Sequence, residues 1–305
     1  MTENTRLVPG LDLDDTSRPP WARLMSGGLT VEAGQENKVW RGQLQVPGST
    51  ESCVPAVVKW MNNQPKVAIE LACALAAAEL KLDVPRGVVV LAERDQLPGL
   101  PVRAKPLPNT QDFLCFGSVH QWPDDSAVRM LDDAAAEEHT WRRLCEMPAA
   151  APGAAWDELV ANADRHTGNL IFDGHRYWFI DHELALQPLA QVIRRWAVQA
   201  NRQRVLEHRA RGNELAAQLA RRRPSDHGLQ GQPAKFQKAG QRLGLLADRM
   251  RQWHTGYPPV DDIWPMAEVV LRGIAARLEP LALMVNERLG VREGASLWNS
   301  SPPNN

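Results

Sequence analysis

The stretch Asp164-Arg165-His166-Thr167-Gly168-Asn169-Leu170-Ile171-Phe172 decides the fold, together with Tyr177-Trp178-Phe179-Ile180-Asp181 that follows it. The turn dipeptide Asp173-Gly174 separates two apolar runs, so residues 170–172 and 177–180 predict a β-hairpin. The hairpin returns Asp181 to the side of Asn169. Four residues separate Asp164 from Asn169, which lets both side chains lie on one side of their loop.

Asp164, Asn169 and Asp181 are the types of residue that a kinase-type phosphoryl-transfer site contains. In that chemistry one Asp accepts a proton from the substrate hydroxyl, an Asn of the same loop binds metal, and a second Asp holds the Mg²⁺ that bridges the phosphates. The alternative is that Asp164 and Asn169 are ordinary turn residues, since both types favour loops. The apolar hairpin and its terminal Asp181 favour the catalytic interpretation.

The order Asp164-Arg165-His166-x-x-Asn169, followed by Ile180-Asp181, resembles the catalytic and metal-binding loops of HipA-like serine/threonine kinases. Phosphatidylinositol kinases share this order. Eukaryotic protein kinases place His-Arg before the Asp, and aminoglycoside-type phosphotransferases usually show His-Gly-Asp, whereas Ala163 precedes Asp164 here. His182-Glu183 stand where the protein-kinase pattern has Phe-Gly, so no Phe switch is expected.

The resemblance implies a role for each residue of the two loops. Asp164 would be the catalytic base, Asn169 and Asp181 the ligands of Mg²⁺, and Arg165 and His166 the residues that shape the catalytic loop. It also implies an α+β, bilobal protein-kinase-like fold that binds ATP, with a small antiparallel-sheet N-lobe and a mainly helical C-lobe. We expect the N-lobe at 21–108, the C-lobe at 109–295, and mobile ends at 1–20 and 296–305. The segment 102–108 would cross between the lobes.

A kinase fold needs a lysine on an N-lobe strand, and Lys59 is the candidate. It ends the β-branched run Pro55-Ala56-Val57-Val58, and such a strand offers an ammonium group to the α- and β-phosphates. The alternative is that Lys59 only marks the end of a strand and is exposed to solvent, which is the more common situation for a lysine after an apolar run. Its position about a hundred residues before the catalytic loop fits the family order.

The partner of Lys59 is predicted to be Glu70. Residues 65–82 read as a helix with Pro65 in its first turn and an apolar face, and they end before Val84-Pro85 as in the HipA-like pattern. The alternative is that Glu70 only interacts with the helix dipole, a contribution of about 0.3–1 kcal/mol.

The phosphate-covering loop is predicted at 33–37, between strands at 29–32 and 38–44. Its Gly34 would let backbone N–H groups face phosphate. An ordinary hairpin is the alternative, and Ser26-Gly27-Gly28 is a second candidate for the loop.

Beyond Asp181 helix formers dominate. Helical stretches are predicted at 189–219, 234–254 and 262–289, with a break at 224–228 and a further helix at 124–145. Nine arginines against two glutamates lie between Arg194 and Arg223. Such a surface could bind a nucleic acid or an acidic partner, although charge runs are usually solvated helix faces.

The composition is that of a chain with a large core. The net charge is −1, 44% of residues are hydrophobic, and the four cysteines lack metal-ligand spacing. No apolar run reaches the roughly 20 residues of a membrane span, and no signal core follows Met1, so we expect a cytoplasmic protein.

Three hypotheses follow. The first is an ATP- and Mg²⁺-dependent kinase acting on a serine or threonine of a protein substrate. The second is a small-molecule or lipid phosphotransferase that uses the same site. The third is a catalytically silent kinase-like binding module that uses the Arg-rich helix 194–223.

Overall fold

The structure, a computed structural model, describes residues 18–31, 38–47, 53–61, 63–121, 134–186, 199–225 and 228–291. The chain has an α+β fold, with a sheet in its first part and mainly helices after it. Residues 1–17 of the mobile N-terminus predicted at 1–20, the whole C-terminus predicted at 296–305, Gly34, and residues 124–133 of a predicted helix lie outside the described residues.

Six strands form the main sheet. They are β1 (Trp21–Leu24), β2 (Leu29–Thr30), β3 (Val39–Gln45), β4 (Cys53–Trp60), β5 (Gly87–Ala92) and β6 (Phe113–Val119). Their order is β1-β5-β6-β4-β3-β2, and β1 also pairs with β3, which closes five of the strands into a barrel-like ring.

The antiparallel sheet that we expected contains one parallel pair, β1 with β5. The other four pairs of the ring, β1–β3, β3–β4, β4–β6 and β6–β5, are antiparallel. A ring with an odd number of strands cannot alternate in direction all the way round. One parallel pair is therefore required wherever five strands close.

Strand β5 is apolar throughout because both of its faces are buried. Val88 and Val90 point into the core enclosed by the ring, where they lie with Trp40 and Val58. Val89 and Leu91 belong to the second core, which lies between the sheet and the helices. The alternation of side chains along one strand thus separates two apolar cores.

The sheet extends past residue 108, where we expected the N-lobe to end. Strand β6 lies between β4 and β5 and supplies hydrogen bonds to both. Residues 102–108 lie in the connection between β5 and β6. The chain leaves the sheet after Val119.

Helix α1 (Gln64–Glu79) confirms the helix predicted at 65–82, with an earlier end. Small residues such as Ala68, Ala72 and Ala76 are fully buried, which allows neighbouring elements to approach closely. It packs against the sheet and also against a late helix, α9, formed by Ile263–Arg277. Its apolar residues therefore belong to the helical core, and the division into two lobes stays a prediction.

The remaining described elements follow in chain order. They are α2 (Ala134–Glu146), α3 (Ala150–Leu159), the hairpin strands β7 (Leu170–Phe172) and β8 (Tyr177–Phe179), α4 (Gln199–Glu207), α5 (Glu214–Arg222), α6 (Gln232–Gln237), α7 (Gly240–Met250), α8 (Pro258–Asp261) and, after α9, α10 (Leu281–Arg288).

The antiparallel β7–β8 pair confirms the predicted hairpin. Helix α3 was not predicted. Residues 189–198 lie outside the described part, and each of the predicted helical stretches 199–219, 234–254 and 262–289 is divided into two helices. Among the described helices, none has both the length and the apolar composition to cross a bilayer.

Candidate active site

Lys59, at the end of β4, lies against the loop that follows the hairpin. Its Nζ is 2.8 Å from Oδ1 of Asp181 and 2.7 Å from Oε2 of Glu183. Oε1 of Glu70, on α1, is farther away at 4.0 Å. The structure therefore brings the predicted residues Lys59, Glu70 and Asp181 together, although 122 positions separate Lys59 from Asp181.

Glu70 makes its closest contact with the backbone of this loop. Its Oε2 accepts a hydrogen bond of 3.0 Å from the N–H of His182. The side chain is only 4% exposed, so a group without a partner would be costly here. Burial raises the pKa of Glu70, and the neighbouring Lys59 offsets this only in part.

The charge of Lys59 is maintained by its surroundings. Burial alone lowers the pKa of Lys59, but the carboxylates of Glu70, Asp181 and Glu183 outweigh that effect and raise it above its ordinary value. Burial alone has the opposite effect on a carboxylate and raises the pKa of Glu183, but the charges of Lys59 and Lys66 hold that pKa below its usual range. The ammonium group of Lys59 and the carboxylate of Glu183 therefore form a charged pair in a partly buried setting.

Asp181 has a left-handed backbone conformation, with φ of 62°. Few residues other than Gly, Asn and Asp adopt this region without strain. The conformation turns the chain directly after β8 and presents the half-exposed carboxylate to Lys59. Non-glycine residues in this region occur often at functional sites.

The loop at 164–169, which is the predicted catalytic loop, is held by its own side chains and lies beside the end of β8. The Nδ2 group of Asn169 donates to the carbonyl oxygen of Asp164 at 2.9 Å, and the Ile180 N–H donates to the Asn169 carbonyl at 3.1 Å. Asn169 is buried, whereas the Asp164 carboxylate is exposed and so accessible to a substrate. Nδ1 of the exposed His166 accepts a bond from the N–H of Gly168 and caps the turn before β7.

Arg165 connects the two loops from the inside. Its Nη1 donates to the carbonyl oxygens of Asn169 and Ile180, at 2.8 and 2.9 Å. Its Nε and Nη2 donate to the two oxygens of Asp157, each at 3.0 Å. The side chain is fully buried, so Arg165 shapes the loops and does not reach solvent.

Sequence reasoning missed a second group of residues that surround the site. Asp157 on α3 also accepts a bond from Nδ2 of Asn162, whose Oδ1 accepts from the Asp164 N–H. Nε1 of Trp156 donates to Nε2 of His182. Burial, with Arg165 and Lys59 nearby, holds the pKa of His182 well below its usual range, so the ring is neutral and can accept that bond.

Three carboxylates meet around the ammonium group of Lys59. Oxygen atoms of Glu70, Asp181 and Glu183 lie within 4.8 Å of one another. Carboxylate oxygens are hard ligands of the kind that Mg²⁺ prefers, with water and phosphate in the other positions. Of these carboxylates, Asp181 is the most exposed and the nearest to the catalytic loop along the chain.

The Arg-rich stretch offers fewer cations to a partner than its sequence indicates. Arg222 and Arg221 lie 2.6 and 3.7 Å from Glu138, and Arg209 lies 2.8 Å from Glu287. Residues 194–198 lie outside the described part of the chain, and helices α4 and α5 are separated by residues 208–213. In the described part of the stretch, residues 199–223, three arginines therefore form ion pairs with glutamates outside it.

No protein-family model matches the chain, and no curated protein sequence matches it. Among solved structures, the chain is similar to the crystal structure of a Helicobacter pylori proinflammatory kinase, CtkA, with 10% sequence identity and a TM-score of 0.45. The similarity covers 85% of this chain and 97% of that one. A likeness at this level does not define a function, which must come from the contacts in the site.

Proposed function

We propose that the chain is a kinase that depends on ATP and Mg²⁺ and transfers the γ-phosphoryl group to a hydroxyl. One observation supports this more than any other. Lys59 of the sheet contacts Asp181 at the end of the hairpin, and Arg165 ties that end to Asn169 of the catalytic loop. An ammonium group, a metal-binding carboxylate and a loop with an exposed Asp are the parts that phosphoryl transfer requires.

Each residue has a task that its position supports. Asp181 and Asn169 would hold Mg²⁺, which neutralises charge on the phosphates when it is bound. Lys59 would contact the α- and β-phosphates. Asp164 would orient the acceptor hydroxyl and take its proton while the oxygen forms a bond to the γ-phosphorus and the bond to the β-bridging oxygen breaks. ADP then leaves with the electron pair of that bond.

The exposure of Asp164 supports a protein substrate. Its carboxylate lies at the surface, with the exposed His166 two residues later, whereas the residues that hold the loop are buried. A serine or threonine side chain on a flexible segment could approach such a base without entering a deep cavity. A small molecule or lipid as acceptor remains the second hypothesis, because the same site would serve it.

The test is incubation of the purified chain with γ-labelled ATP and Mg²⁺, alone and with cell lysate. We expect label on a protein, and no label when EDTA removes the metal. Label found only in a small-molecule fraction would favour the second hypothesis. Absence of Mg²⁺-ATP binding by calorimetry would contradict the proposal and favour a binding module.

A further inference from the structure

Glu183 bridges two lysines that come from different elements. Its Oε2 lies 2.7 Å from Nζ of Lys59, and its Oε1 lies 3.2 Å from Nζ of Lys66 in the first turn of α1. The Glu183 side chain is 5% exposed, so the carboxylate end of both contacts is shielded from water. Charge-assisted hydrogen bonds in such a setting are stronger than exposed ones.

Glu70 has a different set of contacts. Its nearer oxygen is 4.0 Å from Nζ of Lys59, beyond hydrogen-bond distance, and its other oxygen accepts the N–H of His182. Glu70 therefore fixes the backbone of the loop that carries Asp181. The charge of Glu70 helps to raise the pKa of Lys59, but at 4.0 Å its carboxylate makes no hydrogen bond with the ammonium group.

We propose that Glu183, and not Glu70, is the glutamate that positions Lys59, next to Asp181, and that it joins Lys59 and Lys66 into a pair of cations for the nucleotide phosphates. This inference rests on the proposed function. Residue Lys66 thereby becomes a second phosphate-binding cation, half-exposed at the start of α1 and 117 positions from Glu183.

The two glutamates differ in what a neutral replacement would keep. At position 70 the loop needs only an acceptor for the His182 N–H, and glutamine still provides one. At position 183 two ammonium groups need a negative charge, and a glutamine would turn one N–H₂ group towards a lysine. Glutamine substitutions therefore separate the two roles.

The first measurement is turnover of γ-labelled ATP at saturating Mg²⁺-ATP, with label counted whether it is transferred or released as phosphate. Glu183→Gln should lower turnover by about tenfold or more, the scale of one lost charge-assisted hydrogen bond. Glu70→Gln should lower turnover less than Glu183→Gln, because glutamine still accepts the His182 N–H. The exposed Glu279→Gln and Lys238→Met serve as controls, and Lys66→Met should lose part of the activity.

Double variants exclude a merely structural role. Lys59→Met with Glu183→Gln should be no slower than Lys59→Met alone, because the pair acts as a unit. A structural loss would instead multiply. Equal or greater damage from Glu70→Gln, or multiplied losses in the Lys59 and Glu183 double variant, would overturn the assignment.

A second measurement needs no nucleotide. The melting temperature of the free protein is measured for the single and the double variants. The change in the double variant should depart from the sum of the two single changes, and this departure should be larger for Lys59 with Glu183 than for Lys59 with Glu70. If the coupling of Lys59 with Glu70 is equal to or larger than its coupling with Glu183, the assignment of Glu183 is overturned. If the parent does not bind Mg²⁺-ATP, the proposed function fails, and this cycle alone decides whether Glu183 anchors Lys59.

Discussion

Arg165 and Asp157 form an ion pair in which neither side chain is exposed to solvent, with Nε and Nη2 of the guanidinium each 3.0 Å from a carboxylate oxygen. The pair joins the catalytic loop to α3. Because Arg165 also binds the carbonyls of Asn169 and Ile180, it fixes the relative position of both loops of the site.

Breaking this pair from one side should destabilise the whole chain. Asp157→Asn leaves a buried guanidinium without its counter-charge, and we expect a loss of about 3–5 kcal/mol in the free energy of unfolding. Urea unfolding followed by circular dichroism measures it. The exposed Asp262→Asn is the matched control, and a loss no larger than that of the control would show that the pair is not required.

Asp164→Asn should abolish transfer while the affinity for ATP stays within a few fold of the parent. The side chain keeps its size but cannot take the proton of the acceptor hydroxyl, and it contributes little to nucleotide binding. Labelled-ATP assays and calorimetry report the two quantities, with Asp262→Asn as the control. Turnover like that of the parent would remove Asp164 from the mechanism.

Asp181→Asn should weaken the binding of Mg²⁺-ATP itself. Asparagine tolerates the left-handed backbone at this position, so the variant loses the charge and keeps the turn. A thermal-shift titration with Mg²⁺-ATP should show less stabilisation than in the parent. Identical titration curves for the two proteins would rule out a metal-binding role.

The hairpin, the helix α1 and the strand ending at Lys59 follow from local sequence patterns, and this is why they could be predicted. Alternation of side chains and turn residues act over a few positions. The contacts of Glu183 with Lys66, and of Asp157 with Arg165, carry no such signal. Their partners come from separate elements, and only the packing of α1 and α3 brings them together.

The parallel β1–β5 pair could not be predicted for a related reason. Each strand shows its own apolar pattern, but the closure of the ring depends on all five strands at once. Nothing within β6 (Phe113–Val119) shows that it will be inserted between two earlier strands.

The stability should fall in acid through Asp112, which links the sheet to the helical part. Asp112 accepts two bonds from Arg23 on β1 and one from the hydroxyl of Tyr257. Burial by itself raises the pKa of Asp112, but the bonds from Arg23 and Tyr257 outweigh burial and leave it lowered. A lowered folded-state pKa contributes stability above the unfolded value, and this contribution is lost as the pH falls through the folded value.

The measurement is the melting temperature of the parent and of Asp112→Asn at a series of pH values. The parent should keep a constant advantage at neutral pH, and the advantage should shrink below about pH 4, near the unfolded pKa of an aspartate. At neutral pH the parent should exceed Tyr257→Phe in melting temperature by less than it exceeds Asp112→Asn, because this variant removes only the bond from Tyr257. An advantage of the parent that grows on acidification would contradict the assignment.

The packing of α1 against α9 also determines the order in which the chain can complete its structure. Helix α1 is made early, and the helix that covers its alanine-rich surface comes near the end of synthesis. Until then an apolar helix face stays open to other molecules, and contacts between distant parts of a chain form slowly. Chains that stop before Ile263 should therefore be captured by chaperones or aggregate, even though the whole sheet and both loops of the site have already been made.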